Sequence, residues 1–491
     1  MLHIFAHVLT MSSIGSSSAE RLPDPTDLPL VWDSLDNTYN PLNWSRPRKL
    51  RNVIVVVLLG TVSPFASTAI APALEQVIQS MRVTNVLTAP LIVSIFVLGY
   101  AFGQALVSPF ADTFGRRIVQ HTSAIFFVLF NALCAACQTS PQLLACRFFA
   151  GIFGSGLLSI GGNTIGDIYN EEERGGVMAF FVLGINVGPV LGPIACGSVA
   201  QKAGFRWVFG FVALVAAALT IISLLLLDET HPATIARKAH KRHVRFENVP
   251  IQTHAITTSR GYYAFWTQFA KHGLTNPITI VLRHPVLLLL SFELALIYGY
   301  LYLLFVSFGT IFIEVYHEDT SIAGLNFIAF GVGTVLGLMM AGVSMDKIYK
   351  KLSDRREDRH GIPEFRMPLL VPGSILVPSG LLVYGWTADR RIFWILPDIG
   401  VAIFAAGFMM SFLGVQLYII DAFRHNASAI GGANILRCLA GGLLPLAGPR
   451  MSSALGTGWG CSLLALVAAV TGIPIPWVVL RYGESMRKKF E

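Results

Sequence analysis

"GINVGPVLGPIACG", residues 184–197, holds four glycines and two prolines inside an apolar stretch. Both residue types oppose an α-helix: glycine through backbone entropy, proline by removing an N–H donor and clashing with the preceding turn. In a bilayer such breakers are tolerated where neighbouring helices come close and satisfy the freed carbonyls. Gly184, Gly188 and Gly192 recur every four residues, which leaves one helix face without side chains, and Pro189 and Pro193 bend that face. The stretch therefore reads as a transmembrane helix built for close packing.

The rest of the chain agrees. Of its 491 residues 54% are hydrophobic and 13% charged, against about 25% charged in soluble domains; the mean hydropathy is +0.62. A hydrocarbon core of roughly 30 Å needs about 20 apolar residues per helix. Twelve such runs occur, at 52–73, 88–110, 118–138, 143–165, 176–199, 206–227, 286–314, 322–343, 367–386, 393–416, 429–449 and 460–481. The expected fold class is an all-α integral membrane protein with twelve transmembrane helices, here called spans one to twelve.

With both termini cytoplasmic, 28 of the 36 lysines and arginines fall in cytoplasmic segments, including "RKAHKRHVR" and "KIYKKLSDRREDR". Positive loops stay inside, so this orientation is chosen over its reverse. The net charge of +8 then reflects membrane topology rather than a nucleic-acid partner. All six cysteines fall in or at the ends of spans, and the C-x2-C of Cys134 and Cys137 reads as packing, with no metal or disulfide framework. "MLHIFAHVLTMSSIGSSS" lacks a basic start and is not read as a signal peptide.

These features divide the chain into a largely disordered cytoplasmic segment (1–50), a six-helix bundle (51–227), a cytoplasmic linker (228–284), a second six-helix bundle (285–482) and a short tail (483–491). Two pairs of matches support an internal duplication. "ADTFGRR" places Asp112 before Arg116 and Arg117, and "MDKIYKK" places Asp346 before Lys350 and Lys351, at an offset of 234; Pro189-x-x-Gly192-Pro193 and Pro445-x-x-Gly448-Pro449 match at an offset of 256.

"SPFADTFGRRIV", "CRFFAGIFGSG" and "GINVGPVLGP" resemble signature segments of the major facilitator superfamily. "NPLNWSRPRKL", "LDETHPATIARKA", "YIIDAFRHNASAIGGANILR" and "LGTGWGCSLLALVAAVTGIPIP" resemble its fungal twelve-span drug:proton antiporter branch. The resemblance implies two six-helix bundles with a gate latch, in which Asp112 caps a neighbouring helix and Arg116 and Arg117, beside the turn at Gly115, meet carboxylates among Asp167, Glu171 and Glu172 when the cytoplasmic side is closed. It further implies that the pattern Gly184-x3-Gly188-Pro189-x2-Gly192-Pro193 marks antiporters and limits proton leak. In this family the fifth span packs on the eighth, where Gly333 and Gly337 offer a matching face.

Ionisable residues inside spans are costly, so each is a functional candidate. Glu293 lies eight residues after Pro285, roughly 12 Å into its helix, and is a candidate proton carrier. Arg437 lies at similar depth and could instead pair with it. Arg147 matches the arginine that the family associates with proton transfer; the alternative is a side chain reaching the interface. Spans one, four, seven and ten surround the cavity in this fold, which makes Ser67, Thr68, Asn163, Tyr298, Tyr302, Gln416 and Tyr418 candidate substrate contacts.

The reading is a proton-coupled exporter of small amphipathic molecules (drugs, toxins or secondary metabolites) acting by alternating access. The alternative is a proton symporter importing a nutrient such as an organic acid or sugar. No Walker-type loop, HExxH or nucleophile elbow occurs, so an enzyme is not expected. The expected partners are the lipid bilayer, a small-molecule substrate and protons. No cofactor and no metal are expected, and the chain is read as a monomer in the plasma membrane, with a vacuolar or vesicle membrane as the alternative.

Overall fold

The computed structural model describes residues 40–232, 234–235, 275–354, 362–423 and 427–488. Most of the expected N-terminal segment and linker lie outside the described residues. Among those described, every regular element is helical.

Spans one to six are Arg46–Thr68, Thr88–Phe114, Arg116–Ala136, Ser140–Ile168, Glu171–Ala203 and Phe205–Leu226; spans seven to ten are Pro285–Glu314, Ile328–Ser353, Leu370–Asp389 and Ile395–Ala422. Spans eleven and twelve are built from Ala427–Leu443, Leu444–Ala447, Gly448–Gly472 and Pro474–Lys488, eleven lying before Gly456 and twelve after it. Gly456 turns the chain there with a φ of 76°, a conformation that L side chains resist. Spans two and three likewise meet at one residue, Gly115, with a φ of 99°.

Spans one and seven bury 78% of their most apolar window, whereas span three buries 33%. The first pair is therefore central and span three faces lipid. Along span three the lipid face is Ile118, Ile125, Leu129 and Leu133, spaced by four or seven residues.

Packing repeats across the two halves. Span one packs on five, two on four and three on six; correspondingly seven packs on eleven, eight on ten and nine on twelve. Spans two and eleven, and five and eight, join the halves. This is the arrangement expected of a duplicated six-helix unit.

The glycine face of span five does not pair with Gly333 and Gly337 as expected. It lies on span one: a Cβ on Gly188 would stand 2.7 Å from the Thr61 carbonyl oxygen and 3.1 Å from Phe65 N, and one on Gly184 would stand 2.8 Å from Val57 Cγ1. Gly333 and Gly337 instead press on the backbone of Ala402 and Ala406 in span ten. Spans five and eight do meet, where a Cβ on Gly331 would stand 2.9 Å from Val190 Cγ1, and the short helix Thr320–Leu325 before span eight meets span five at Gly197, whose added Cβ would lie 2.8 Å from Thr320 O and 3.3 Å from Gly324 Cα. Pro193 has no N–H for the Pro189 carbonyl one turn earlier, and Thr68 Oγ1 donates to that oxygen at 3.0 Å. A bare helix face states that something comes close without stating which helix.

Candidate substrate path and gate

Where the two halves meet, polar side chains from several spans form one buried cluster. Ser63 and Tyr100 share a hydrogen bond of 2.8 Å, and Ser67 and Tyr302 one of 3.1 Å. Tyr302 packs against Tyr298 at 5.1 Å between ring centres, and Tyr298 against Phe408 of span ten at 6.3 Å. The Arg437 guanidinium lies 4.3 Å from the Tyr298 ring centre. Spans one, two, seven, ten and eleven thus supply an aromatic wall with hydroxyls set into it. Asn163 of span four is half-buried; Gln416 of span ten is too, and its Oε1 is buried without a partner.

Two other residues expected here point elsewhere. Thr68 serves the span five carbonyl, and the Tyr418 hydroxyl lies 3.5 Å from Glu364 Oε1, beside the start of span nine.

Arg147 does not reach the interface: it is 1% exposed. Its Nη2 donates to the Ser67 carbonyl at 2.9 Å, and its guanidinium lies over Phe96 and Phe209. Span one ends at Thr68, where carbonyls lose their intrahelical partners, and Arg147 satisfies one of them. Glu293 and Arg437 do not pair. Glu293 is 4% exposed and turns towards spans nine and twelve, with Oε1 2.7 Å from where a Cβ of Gly472 would stand and 3.4 Å separating that position from Ser374. Its Oε2 has no hydrogen-bond partner.

At the end of the bundle that carries Arg48, Arg116 and Lys350, here called the basic end, Arg116 sits between two carboxylates: Asp112 at 2.6 Å and Asp167 at 3.3 Å. Arg117 donates to the Leu224 carbonyl at 3.2 Å. The side chains of Glu171, Glu172 and Asp346 lie outside the described residues. Asp112 does not cap a helix; its side chain is 59% exposed. That task falls to Glu229, whose Oε1 accepts from the backbone N–H of Arg116, at the start of span three, and from that of His231. Asp228 beside it binds Arg48 at 2.8 Å and Arg51 at 2.5 Å, tying the start of span one to the end of span six. Burial opposes its charge, but the Arg48 hydrogen bond and the two arginines hold the Asp228 carboxyl below its usual range.

The second half carries a matching pair. Arg366, before span nine, meets Asp421, at the end of span ten, at 3.0 Å and lies 4.3 Å from the Tyr349 ring centre.

Comparison with known proteins places this architecture. Residues 56–445 match the Major Facilitator Superfamily. The chain belongs to that superfamily. This major facilitator protein is 37% identical over 472 residues to the MFS-type transporter penM of Penicillium rubens, covering 95% of this chain and 91% of that one. It is 33% identical to the efflux pump radE of Floropilus chiversii, over 97% and 87% of the two chains. Among solved structures it superposes on the partially occluded inward-open xylose transporter XylE of E. coli with a TM-score of 0.66, at 16% identity and over 89% and 98% of the two chains. It is a multi-pass membrane transporter of small molecules and not an enzyme.

In this transporter, sequence reasoning missed Glu229, Asp228, Arg366 and Asp421. A signal was present: Arg116 to Arg366 and Asp167 to Asp421 are separated by 250 and 254 residues, between the two offsets that revealed the duplication. Removing the Glu229 carboxylate by Glu229→Ala leaves two N–H groups without an acceptor, an expected loss of about 1 kcal/mol. Thermal melting of the purified protein should show it, and Asp112→Ala, at an exposed site, should cost less; equal shifts would remove the capping role from Glu229.

Proposed function

We propose that this transporter exports small amphipathic organic molecules, drugs, toxins or secondary metabolites, by proton-driven antiport with alternating access. The observation that carries the reading is the span five pattern Gly184-x3-Gly188-Pro189-x2-Gly192-Pro193 closed against span one. It forms a sealed wall beside the Tyr298–Tyr302 cluster, where an open seam would let protons pass without substrate. The naming of a relative as an efflux pump adds to it.

The basic end is taken as cytoplasmic, in keeping with its arginines and lysines. The contacts that join the halves, Gly197 with Gly324, Gly442 with Leu98 and Gln104 with Cys438, run from mid-membrane towards the other end. The substrate then enters from the cytoplasmic side. Arg116 is held between Asp112 and Asp167 with this side open, so it ties spans two, three and four together within the first bundle rather than shutting the gate, and Glu293 serves as the proton carrier.

The test uses inside-out vesicles with an acid interior and a pH-sensitive dye, challenged with amphipathic compounds. Export predicts that some of them collapse the gradient only where the protein is present. Failure of all of them, together with nutrient uptake into cells that rises on external acidification, would make the protein a symporter instead.

A further inference from the structure

Arg437 is a guanidinium at mid-span with nothing acidic against it. Besides Tyr298, its carbon lies 5.5 Å from the Phe412 ring centre. Its Nε is buried and has no hydrogen-bond partner, and no ion pair joins it among the described residues. The polar groups around it are the hydroxyls of Tyr298, Tyr302 and Tyr100 and the thiol of Cys438, with no carboxylate among them.

A charge removed from water is costly unless paired, and two ring faces offset only part of that cost. Arg147 likewise keeps a buried Nε without a partner, but its Nη2 donates to a backbone carbonyl and the residue is 1% exposed, whereas Arg437 has no such hydrogen bond among the described residues and is half-buried. Asn434 lies one turn earlier on the same face of span eleven, and Gln416 one turn beyond Phe412 on span ten. Each keeps a buried amide oxygen without a partner. The site therefore has one unpaired cation and an aromatic wall at the junction of the two halves, with two amide oxygens that lack donors on neighbouring turns.

We infer that the transported molecules are organic carboxylates carried on an aromatic or apolar body, with the carboxylate on Arg437 and the body against Tyr298, Phe412 and Phe408. A guanidinium presents parallel N–H donors that match a carboxylate, and the rings offer faces to a flat apolar body. In the sequence Arg437 could be paired with Glu293. The structure separates the two and leaves the arginine for the substrate. The inference rests on the transport reading above and narrows its substrate class.

The full-length protein, purified in detergent, is melted with 1-naphthylacetate and with its methyl ester, since a ligand raises the melting temperature in proportion to its occupancy of the folded state. The acid should stabilise the protein at concentrations about tenfold below those at which the ester does, the discrimination expected of one charge-assisted pair. Arg437→Gln should abolish the difference, and Arg437→Lys, which keeps the charge but not the planar fork, should retain a weaker one. Both variants are first melted without ligand to establish that they fold.

Equal stabilisation by acid and ester, or an Arg437→Gln protein that still prefers the acid, overturns the assignment. If the acid stabilises the protein but no carboxylate collapses the proton gradient in vesicles, the site stands and proton-driven export falls. If only esters and cationic compounds collapse it, export stands and the carboxylate site falls.

Discussion

Gly188→Val should abolish transport while the full-length protein still reaches the membrane. The new side chain would meet the Thr61 carbonyl at 2.7 Å, Phe65 N at 3.1 Å and Pro64 Cβ at 3.2 Å. Two of these are backbone atoms, which cannot swing aside as a side chain would. Overpacking of this kind costs about 1–3 kcal/mol. A shift of that size alters the balance between two conformations by roughly 5- to 150-fold. Span five contacts span one within the first half and span eight across the junction, so pushing it outward disturbs both the wall and the pivot. Gly175, on the same helix, has nothing within 4 Å of an added Cβ, and Gly175→Val is the control expected to leave transport unchanged. Vesicle assays on the two variants, normalised to the amount of protein, decide the matter. Transport at the normal rate in Gly188→Val would show that the glycine face has no part in the cycle.

Glu293→Gln is expected to uncouple transport from the proton gradient. The amide has the shape of the protonated acid and cannot release a proton, so a carrier at this position would be fixed in one state. Gradient-driven transport should fall to the background of empty vesicles, while exchange of labelled for unlabelled substrate at equal pH continues. The site suits such a test because the carboxylate is 4% exposed and faces Gly472 and Ser374, with no arginine or lysine paired to it among the described residues. Because it is not paired with Arg437, the proton and the substrate do not share a residue, and coupling would pass through the movement of span seven. Span seven carries both Glu293 and the Tyr298–Tyr302 pair, five and nine residues on. Gradient-driven transport at the normal rate in Glu293→Gln would clear this residue of the role.

Much of the architecture is legible in the sequence because it depends on local sums. Twelve apolar runs of about membrane length mark helices wherever they finally pack, since the bilayer requires each to satisfy its own backbone. The order of Asp112, Gly115 and Arg116 is local too: a glycine with φ of 99° must break the helix, and an aspartate four residues before an arginine can reach it. The duplication is likewise visible, because copied segments keep their order.

Partnership is a different matter. Gly184, Gly188 and Gly192 announce a close approach, yet the partner is span one, and Gly333 and Gly337 announce another whose partner is span ten. Depth along a helix placed Glu293 and Arg437 at one level, but the rotation of each helix turns Glu293 towards spans nine and twelve and Arg437 towards Tyr298. Glu229, far from Arg116 in the chain, becomes its cap only when span six returns beside span three. The sequence by itself determined how many helices cross the membrane, where they break and which faces are bare. Only the tertiary structure decided which faces meet, because a helix repeats every 3.6 residues in its own frame and its rotation about its axis is set by the neighbours that pack against it.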